Sequence, residues 1–495
     1  MASFPAGRAL PAALAWLIAF LTLLRVITAA CLPLSFDEAY FWLWSRHLAI
    51  SYFEHPPLIA LAIRAGTALL GDTSLGVRLI PLLASIAASF ALWRAAVVIF
   101  EDHTSAWTAC AFFNLTLMMA SQGMGATPDV FVLMASAWLL WCVAELERTD
   151  YGWWWLVAVL ALGVALLAKY TAFFLALSLA FWLIAAPRGR RWLASPWPYA
   201  AALLALTFLG PNLVWNQAHH WISFAYQFGR IGAERRSSLH LLEFFASQLA
   251  LASPIILVLA LITLGRETRK QFQRPLGMSA ALVWPGLLYF CLHSLHDRVQ
   301  GNWPSFIYPG LAILAAAAVK NAQGPVMRWS GRLAVPVASL ILAFSYLQTW
   351  TGLLPVGKVD PIARMTAVGL GPIAEKISAL ARSEHAAALV TTRYVNTGWL
   401  AFYVRPHLAV LQAAEEYRWT DVPAAGPKLL NSPLVYVTEH PERELRFVQR
   451  YFSRVIFSGC SPRMRSGVRV DNFCLYTLRG LRPNQATRIP IAYSP

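Results

Sequence analysis

The sequence predicts an α-helical polytopic membrane protein that ends in a small α/β domain, and three observations predict it. Of its 495 residues, 58% are hydrophobic and only 13% charged, a balance too apolar for a water-soluble enzyme of this length. Up to Trp350 the chain is a succession of eleven apolar stretches, each close to the roughly 20 residues a membrane helix needs once its boundary residues are included. After Trp350 the pattern changes: strand-like AALVTT, LAVLQ, PLVYVT, RVIFSG and the alternating VRVDNFCLYTL are separated by helical patterns such as PERELRFVQRYF, the signature of a small α/β domain. The division expected is therefore 1–350 for the membrane domain and 351–495 for the terminal one. The formal charge of +16 belongs to Lys and Arg beside apolar runs, which orient a chain in a membrane and meet anionic lipid; nucleic acid is not expected as a partner.

The first stretch runs from about Pro11 to Leu32 after Arg8, and the many further stretches make it an uncleaved helix rather than a signal peptide. The others lie near Leu75–Phe100, Thr104–Ser121, Pro128–Val143, Trp153–Ala168, Thr171–Ala186, Trp197–Trp215, Leu241–Leu264, Met278–Leu292, Trp303–Val319 and Leu333–Trp350. If the N-terminus is cytoplasmic, the clusters Arg188, Arg190, Arg191, then Arg266, Arg269, Lys270, Arg274, then Lys320, Arg328, Arg332 all fall on the inner side. That is the positive-inside pattern. The same count puts the loop around Asp37, Lys169, the 216–240 loop, the 293–302 loop and the terminal domain outside, which for a bacterial inner membrane is the periplasm.

The first outer loop, Ser35 to Gly71, concentrates the chemistry. Asp37, Glu38, Glu54 and His55 stand there among aromatic residues, and ionisable groups at a membrane rim are costly unless paired or useful. Phe36, Tyr40, Phe41, Trp44 and Leu48 form a stripe suited to a helix lying in the interface, and Ile59 to Leu70 opens a second short helix after Pro56 and Pro57. Cys31, Cys110, Cys142 and Cys291 lie in or beside apolar runs, whereas Cys460 and Cys474 lie in polar sequence and stand open as a bridge or as free thiols.

Six motifs in order carry a resemblance. FDEAY at Phe36–Tyr40, YFEHPPL at Tyr52–Leu58, TPD ending at Asp129, AKYTA around Lys169, WN at Trp215–Asn216 and GNWP at Gly301–Pro304 resemble the membrane glycosyltransferases of GT-C type, the protein O-mannosyltransferases and the lipid A aminoarabinose transferases. The resemblance covers roughly the first 310 residues. It implies an inverting transfer of a sugar from a polyprenyl-phosphate carrier to an envelope acceptor such as lipid A, lipopolysaccharide core or another glycan on the outer side. It implies no nucleotide sugar, no cofactor and no obligatory metal. A protein O-glycosyltransferase of the same fold, or a transporter or flippase of lipid-linked sugars, stands as the alternative.

On this resemblance Asp37 and Glu38 are the catalytic acids, with Asp37 the base. The chemistry asks for the same residue types: an acceptor hydroxyl must lose its proton to a carboxylate as the anomeric carbon becomes positive. The departing phosphate gains charge, so cations around it favour the transition state. The donor-phosphate candidates are Lys169, His55, Arg230, His296 and Arg298, with Lys169 favoured because it sits between two apolar runs. Glu54, Asp129, Tyr170 and Asn302 are the acceptor or substrate candidates. Plainer roles stand beside these: Asp37 and Glu38 as helix caps, Asp129 as a first-turn residue, Lys169 as a side chain reaching for the interface. No CxxC or HExxH spacing is present, and no metal site is expected.

Overall fold

The computed structural model describes residues 6–229, 238–272, 275–482 and 488–495. The chain folds as two compact units: Met1–Ala29, Glu54–Ile59 and Arg78–Phe344 form the first, Ala30–Phe53, Ala60–Val77 and Ser345–Pro495 the second. The division does not follow the chain cut at residue 350, because most of the first outer loop groups with the terminal domain.

The first unit is helical. Among the described residues of the whole chain, five helices are long and apolar enough to cross a membrane: Leu10–Cys31, Ser74–Phe100, Asp129–Thr149, Trp197–Ala218 and Gly324–Thr351. Two further pairs qualify only as broken spans, Tyr170–Ala185 with Pro187–Ala194 bent by 92° and Leu239–Ala252 with Pro254–Arg269 bent by 107°. All eleven expected stretches are helical, but not as eleven straight spans. The Leu241–Leu264 stretch breaks at Ser253, whose φ of 70° leaves the helical region just before Pro254 starts a new helix. The Thr104–Ser121 stretch splits into His103–Asn114 and Leu117–Gln122, the second capped by Thr116. Trp154–Leu166, Gly277–His293 and Ser305–Lys320 are shorter than a bilayer requires on their own. Apolarity was common to all of these runs; the breaks come from local backbone chemistry. Arg25, which interrupts the first apolar stretch, is buried and donates to the Asn114 side chain at 2.7 Å.

In the second unit the loop begins with the helix Phe36–Arg46. Ser35 is its N-cap, accepting from the Glu38 N–H at 3.2 Å while the Glu38 carboxylate accepts from the Ser35 N–H at 2.7 Å, a capping box. The expected interfacial stripe is too narrow a description. Tyr40, Phe41, Trp42, Leu43 and Trp44 are all buried, so this helix is enclosed on most sides rather than lying with one face in the interface. It packs on the helix Tyr394–Tyr403, and the crossing needs Gly398: a Cβ there would stand 2.8 Å from Ala39 C and 2.9 Å from Tyr40 N. The second short helix, Leu58–Leu70, forms where expected after Pro57.

The terminal domain is a six-stranded sheet ordered β4-β5-β3-β1-β2-β6, with β1 Ala388–Thr391, β2 Ala409–Gln412, β3 Leu434–Thr438, β4 Phe452–Arg465, β5 Val468–Leu481 and β6 Ile491–Tyr493. β1 runs parallel to β2 and β3, and the other pairings are antiparallel. β1 and β3 are buried along their whole length, as parallel strands covered on both faces must be. β4 extends beyond the expected segment to Arg465, and Cys460 pairs with Cys474 across β4 and β5 as a disulfide. Arg465, next to the hairpin turn, donates to the Gln348 and Thr349 carbonyls at 2.6 and 2.9 Å and pairs with Asp360 at 3.1 Å. The hairpin is thereby fixed to the last turns of the Gly324–Thr351 helix.

Just past β3, Glu439 is nearly buried with Arg393 at 3.6 Å. Burial first, then the nearby Asp471, pushes its carboxyl up to about 7, while Arg463 and Arg393 pull the other way. Below its ordinary 4.5 the group is protonated whether folded or unfolded; between 4.5 and about 7 only the unfolded chain ionises freely. Folding stability must therefore fall as pH rises through that window. We expect thermal melts of the purified protein to lose on the order of 2 kcal/mol across it, and Glu439→Gln to flatten that slope.

Candidate functional site

In the first unit the residues singled out by sequence gather around Asp129. Thr127 and Pro128 lead into the Asp129–Thr149 helix, so Asp129 sits in its first turn, where the helix dipole favours a carboxylate. Lys169 follows the end of Trp154–Leu166 in extended conformation and begins the single turn Tyr170–Ala172. Its ammonium donates to both Asp129 oxygens at 2.8 Å. Asn302 Nδ2 donates to Asp129 Oδ2 at 3.2 Å and Ser305 Oγ to Oδ1 at 3.3 Å. Asp129 is 2% exposed and Lys169 7%, and at that depth a charge persists only if paired and hydrogen-bonded.

The Lys169 ammonium between the two apolar runs is the counter-ion of Asp129. The network continues outward: the Gly301 carbonyl accepts from Gln248 Nε2 at 3.0 Å, and Tyr308 donates to Gln248 Oε1 at 2.9 Å. Tyr170 accepts from Asn212 Nδ2 at 2.9 Å and meets Phe224 edge-on. The end of the first outer loop belongs to the same unit. Leu58 N–H donates to the Leu167 carbonyl at 2.9 Å, and the Glu54 carbonyl accepts from Gln227 Nε2 at 3.1 Å. The backbone around Glu54 and His55 is thus tied to the segment that leads into Lys169.

The remaining cation candidates fare differently. Arg298 is largely exposed and pairs with Glu243 at 3.2 Å, and partly buried His296 has Nδ1 3.1 Å from the Leu292 carbonyl. Arg230 lies outside the described residues. Among the described residues no group of three or more His, Cys, Asp or Glu side chains is placed to hold a metal ion.

In the second unit Asp37 is partly buried in the first turn of the Phe36–Arg46 helix. The carboxylate of Glu38 is committed to the capping box, which gives it a holding role in the structure. The backbone just before Asp37 is gripped from the terminal domain. Ala367 N–H donates to the Leu34 carbonyl at 3.0 Å, Trp399 Nε1 donates to the same carbonyl at 3.3 Å, and Leu34 N–H donates to the Tyr403 hydroxyl at 2.7 Å. Ser35 and Thr366 form an antiparallel bridge. Behind that bridge Arg463, 1% exposed, donates to the carbonyls of Thr366 at 2.9 Å and Val368 at 3.2 Å, pairs with Asp471, and lies over the Trp399 ring. Further along, Arg418 lies 4.2 Å from the Tyr394 ring centroid, with Tyr40 and Phe53 also within cation–π range.

Sequence reasoning missed Ser305, Arg418, Arg463 and Asp471. Ser305 directly follows GNWP and was within reach of the motif. The other three belong to no spacing pattern and meet their partners only through the fold.

Residues 54–215 match the family described as dolichyl-phosphate-mannose-protein mannosyltransferase, a segment that holds Glu54, His55, Asp129 and Lys169. A lipid A galacturonosyltransferase, RgtD, from Rhizobium johnstonii is 29% identical over 286 residues; the match spans 56% of this chain and 59% of that relative's length. Over 95% of this chain the structure superposes on ArnT from Cupriavidus metallidurans with a TM-score of 0.63 at 15% identity, covering all of the apo chain. The same enzyme solved with undecaprenyl phosphate gives the same score. The chain has the GT-C glycosyltransferase fold. The structure also superposes on the archaeal oligosaccharyltransferase AglB from Archaeoglobus fulgidus, at a TM-score of 0.50 and 12% identity, with 95% of this chain and 74% of that chain covered.

Two outcomes test the ion pair of the first unit and the backbone clamp of the second. Lys169→Met, which strands the Asp129 carboxylate, is expected to cost about 3–5 kcal/mol, and the double variant with Asp129→Asn to recover part of it, read by thermal unfolding in detergent. Arg463→Met is expected to speed amide hydrogen exchange at least tenfold in the segments around Leu34–Glu38 and Thr366–Leu370, read by mass spectrometry, because both lose the same clamp.

Proposed function

We propose that this protein is an inverting glycosyltransferase that moves a sugar from a polyprenyl-phosphate carrier to lipid A or a related envelope glycolipid at the periplasmic side of a bacterial inner membrane. The observation that carries the reading is the fold match over 95% of the chain to an enzyme solved with undecaprenyl phosphate. A relative that acts on lipid A supports the acceptor class, and its name puts a uronic acid first among the sugars to try. The Cys460–Cys474 disulfide supports an oxidising compartment for the terminal domain. The positive-inside count and the apolar stretches support a multi-pass chain of about eleven passes, with its N-terminus in the cytoplasm.

In this reading the acceptor hydroxyl attacks the anomeric carbon and the bond from that carbon to the phosphate oxygen breaks. The hydroxyl proton passes to the Asp37 carboxylate, and polyprenyl phosphate leaves with the bonding electron pair. Glu38 holds the start of the Asp37 helix rather than taking a proton. His55, Arg230, His296 and Arg298 are the candidates for the donor phosphate. Lys169 has one further N–H beyond the two that Asp129 engages, and it joins that set only as a paired cation. Glu54, Tyr170 and Asn302 remain acceptor-side candidates. No metal is assigned a role.

The family profile describes protein acceptors, so a protein hydroxyl is the second reading. Reconstituted enzyme given a polyprenyl-phosphate uronic acid, lipid A and a Ser/Thr-rich peptide separates the two by mass spectrometry of the products. We expect glycosylated lipid A, no glycopeptide, and turnover insensitive to chelator. Asp37→Asn is expected to lower turnover by a factor of roughly 10²–10⁴, the usual worth of a general base, with an unchanged melting midpoint. Full turnover in that variant removes Asp37 as the base.

A further inference from the structure

The helix Pro441–Tyr451 follows β3 and has two sharply different faces. Leu445, Val448 and Tyr451 pack into the core of the terminal sheet. On the opposite side Arg443, Arg446, Phe447 and Arg450 recur at helical spacing, and the three guanidiniums are exposed. Arg446 and Arg450 lie 5.1 and 5.8 Å from the Phe447 ring centroid, so an aromatic ring is set between cations. Arg482 extends the stripe at the helix's end, donating to the Gln449 carbonyl at 3.2 Å while remaining exposed. Among the described residues none of these four arginines forms an ion pair, although Arg479 nearby in sequence pairs with Glu384 at 2.8 Å.

Like charges at i, i+3 and i+7 repel along a helix unless something anionic covers them. The stripe from Arg443 to Arg450 is about 10 Å long by the helical rise, comparable with two linked sugar rings. Its cations are all guanidiniums, which grip phosphate and carboxylate oxygens with paired N–H donors. Its one apolar side chain, Phe447, is partly buried and too small to insert a domain into a bilayer, which needs a broad apolar face. A phosphate-bearing glycan fits this combination better than a lipid surface does: charge at intervals, with a flat ring to stack against between the charges.

We propose that this face, Arg443, Arg446, Phe447 and Arg450 with Arg482 beside it, docks the phosphorylated glycan headgroup of the acceptor glycolipid. The proposal rests on the lipid A reading above and gives the terminal domain its task. The test uses the full chain in nanodiscs of neutral phosphatidylcholine and measures binding of bisphosphorylated lipid A, of its dephosphorylated counterpart, and of phosphatidylglycerol vesicles as competitor. Wild type is expected to prefer the phosphorylated form, and R443Q/R446Q/R450Q to bind it roughly 10–100-fold more weakly, a loss of one or two decades for three charge-assisted contacts. Equal binding by the triple variant, or by the dephosphorylated lipid, overturns the proposal. So does displacement of lipid A by phosphatidylglycerol through the same arginines, which makes the bilayer the occupant. If wild type binds phosphorylated lipid A through these residues yet transfers no sugar to it, the docking face stands and the reaction reading falls.

Discussion

The burial of an ammonium and a carboxylate is the constraint from which the first unit's site follows. Lys169 and Asp129 stand where water is excluded, and the free energy of removing each from solvent is far larger than any surface interaction. Pairing alone does not offset it, because a carboxylate offers more lone pairs than one ammonium fills. Asn302 and Ser305 complete the shell, so the turn that carries them has to meet the start of the Asp129 helix. Through Gly301 and Gln248 the same demand reaches the helix that bends at Ser253. Three distant stretches of sequence are thus drawn to one point by the need to satisfy a single charged pair.

A second constraint governs the start of the Phe36–Arg46 helix. A helix N-terminus leaves N–H groups without partners, and here Ser35 and Glu38 satisfy part of that need locally. The residues just before them are fixed by the terminal domain, through Ala367, Trp399, Tyr403 and the Thr366 bridge. Arg463 holds the 366–368 segment from behind, so a strand more than 400 residues downstream determines the backbone leading into Asp37. The terminal domain therefore acts as a support for the acidic loop as well as a module with its own outer face.

What was legible in the sequence was whatever composition or short-range pattern encodes. The apolar runs marked helices, the acidic pair Asp37 and Glu38 marked a helix start, and the change after Trp350 marked the sheet domain with five of its six strands. β6 has only three residues and no alternation to read. The candidate residues Asp37, Glu54, His55, Asp129, Lys169 and Asn302 stood out because they are polar residues in apolar surroundings and because their motifs resemble a known group. Their pairing was not visible: nothing in AKYTA or TPD says that the lysine neutralises the aspartate. Nor does any local pattern report the break at Ser253, which depends on a single residue leaving the helical region, or the reach of Arg463 to Thr366.

The central claim is a direct displacement at the anomeric carbon, assisted by a carboxylate and driven from a lipid phosphate. The configuration of the product tests it most directly. Proton NMR of the glycosylated lipid formed by purified enzyme from a donor of known anomeric configuration should show the opposite anomer, with one polyprenyl phosphate released per sugar transferred. Retention of configuration, or movement of the intact donor with no covalent product, would contradict the account.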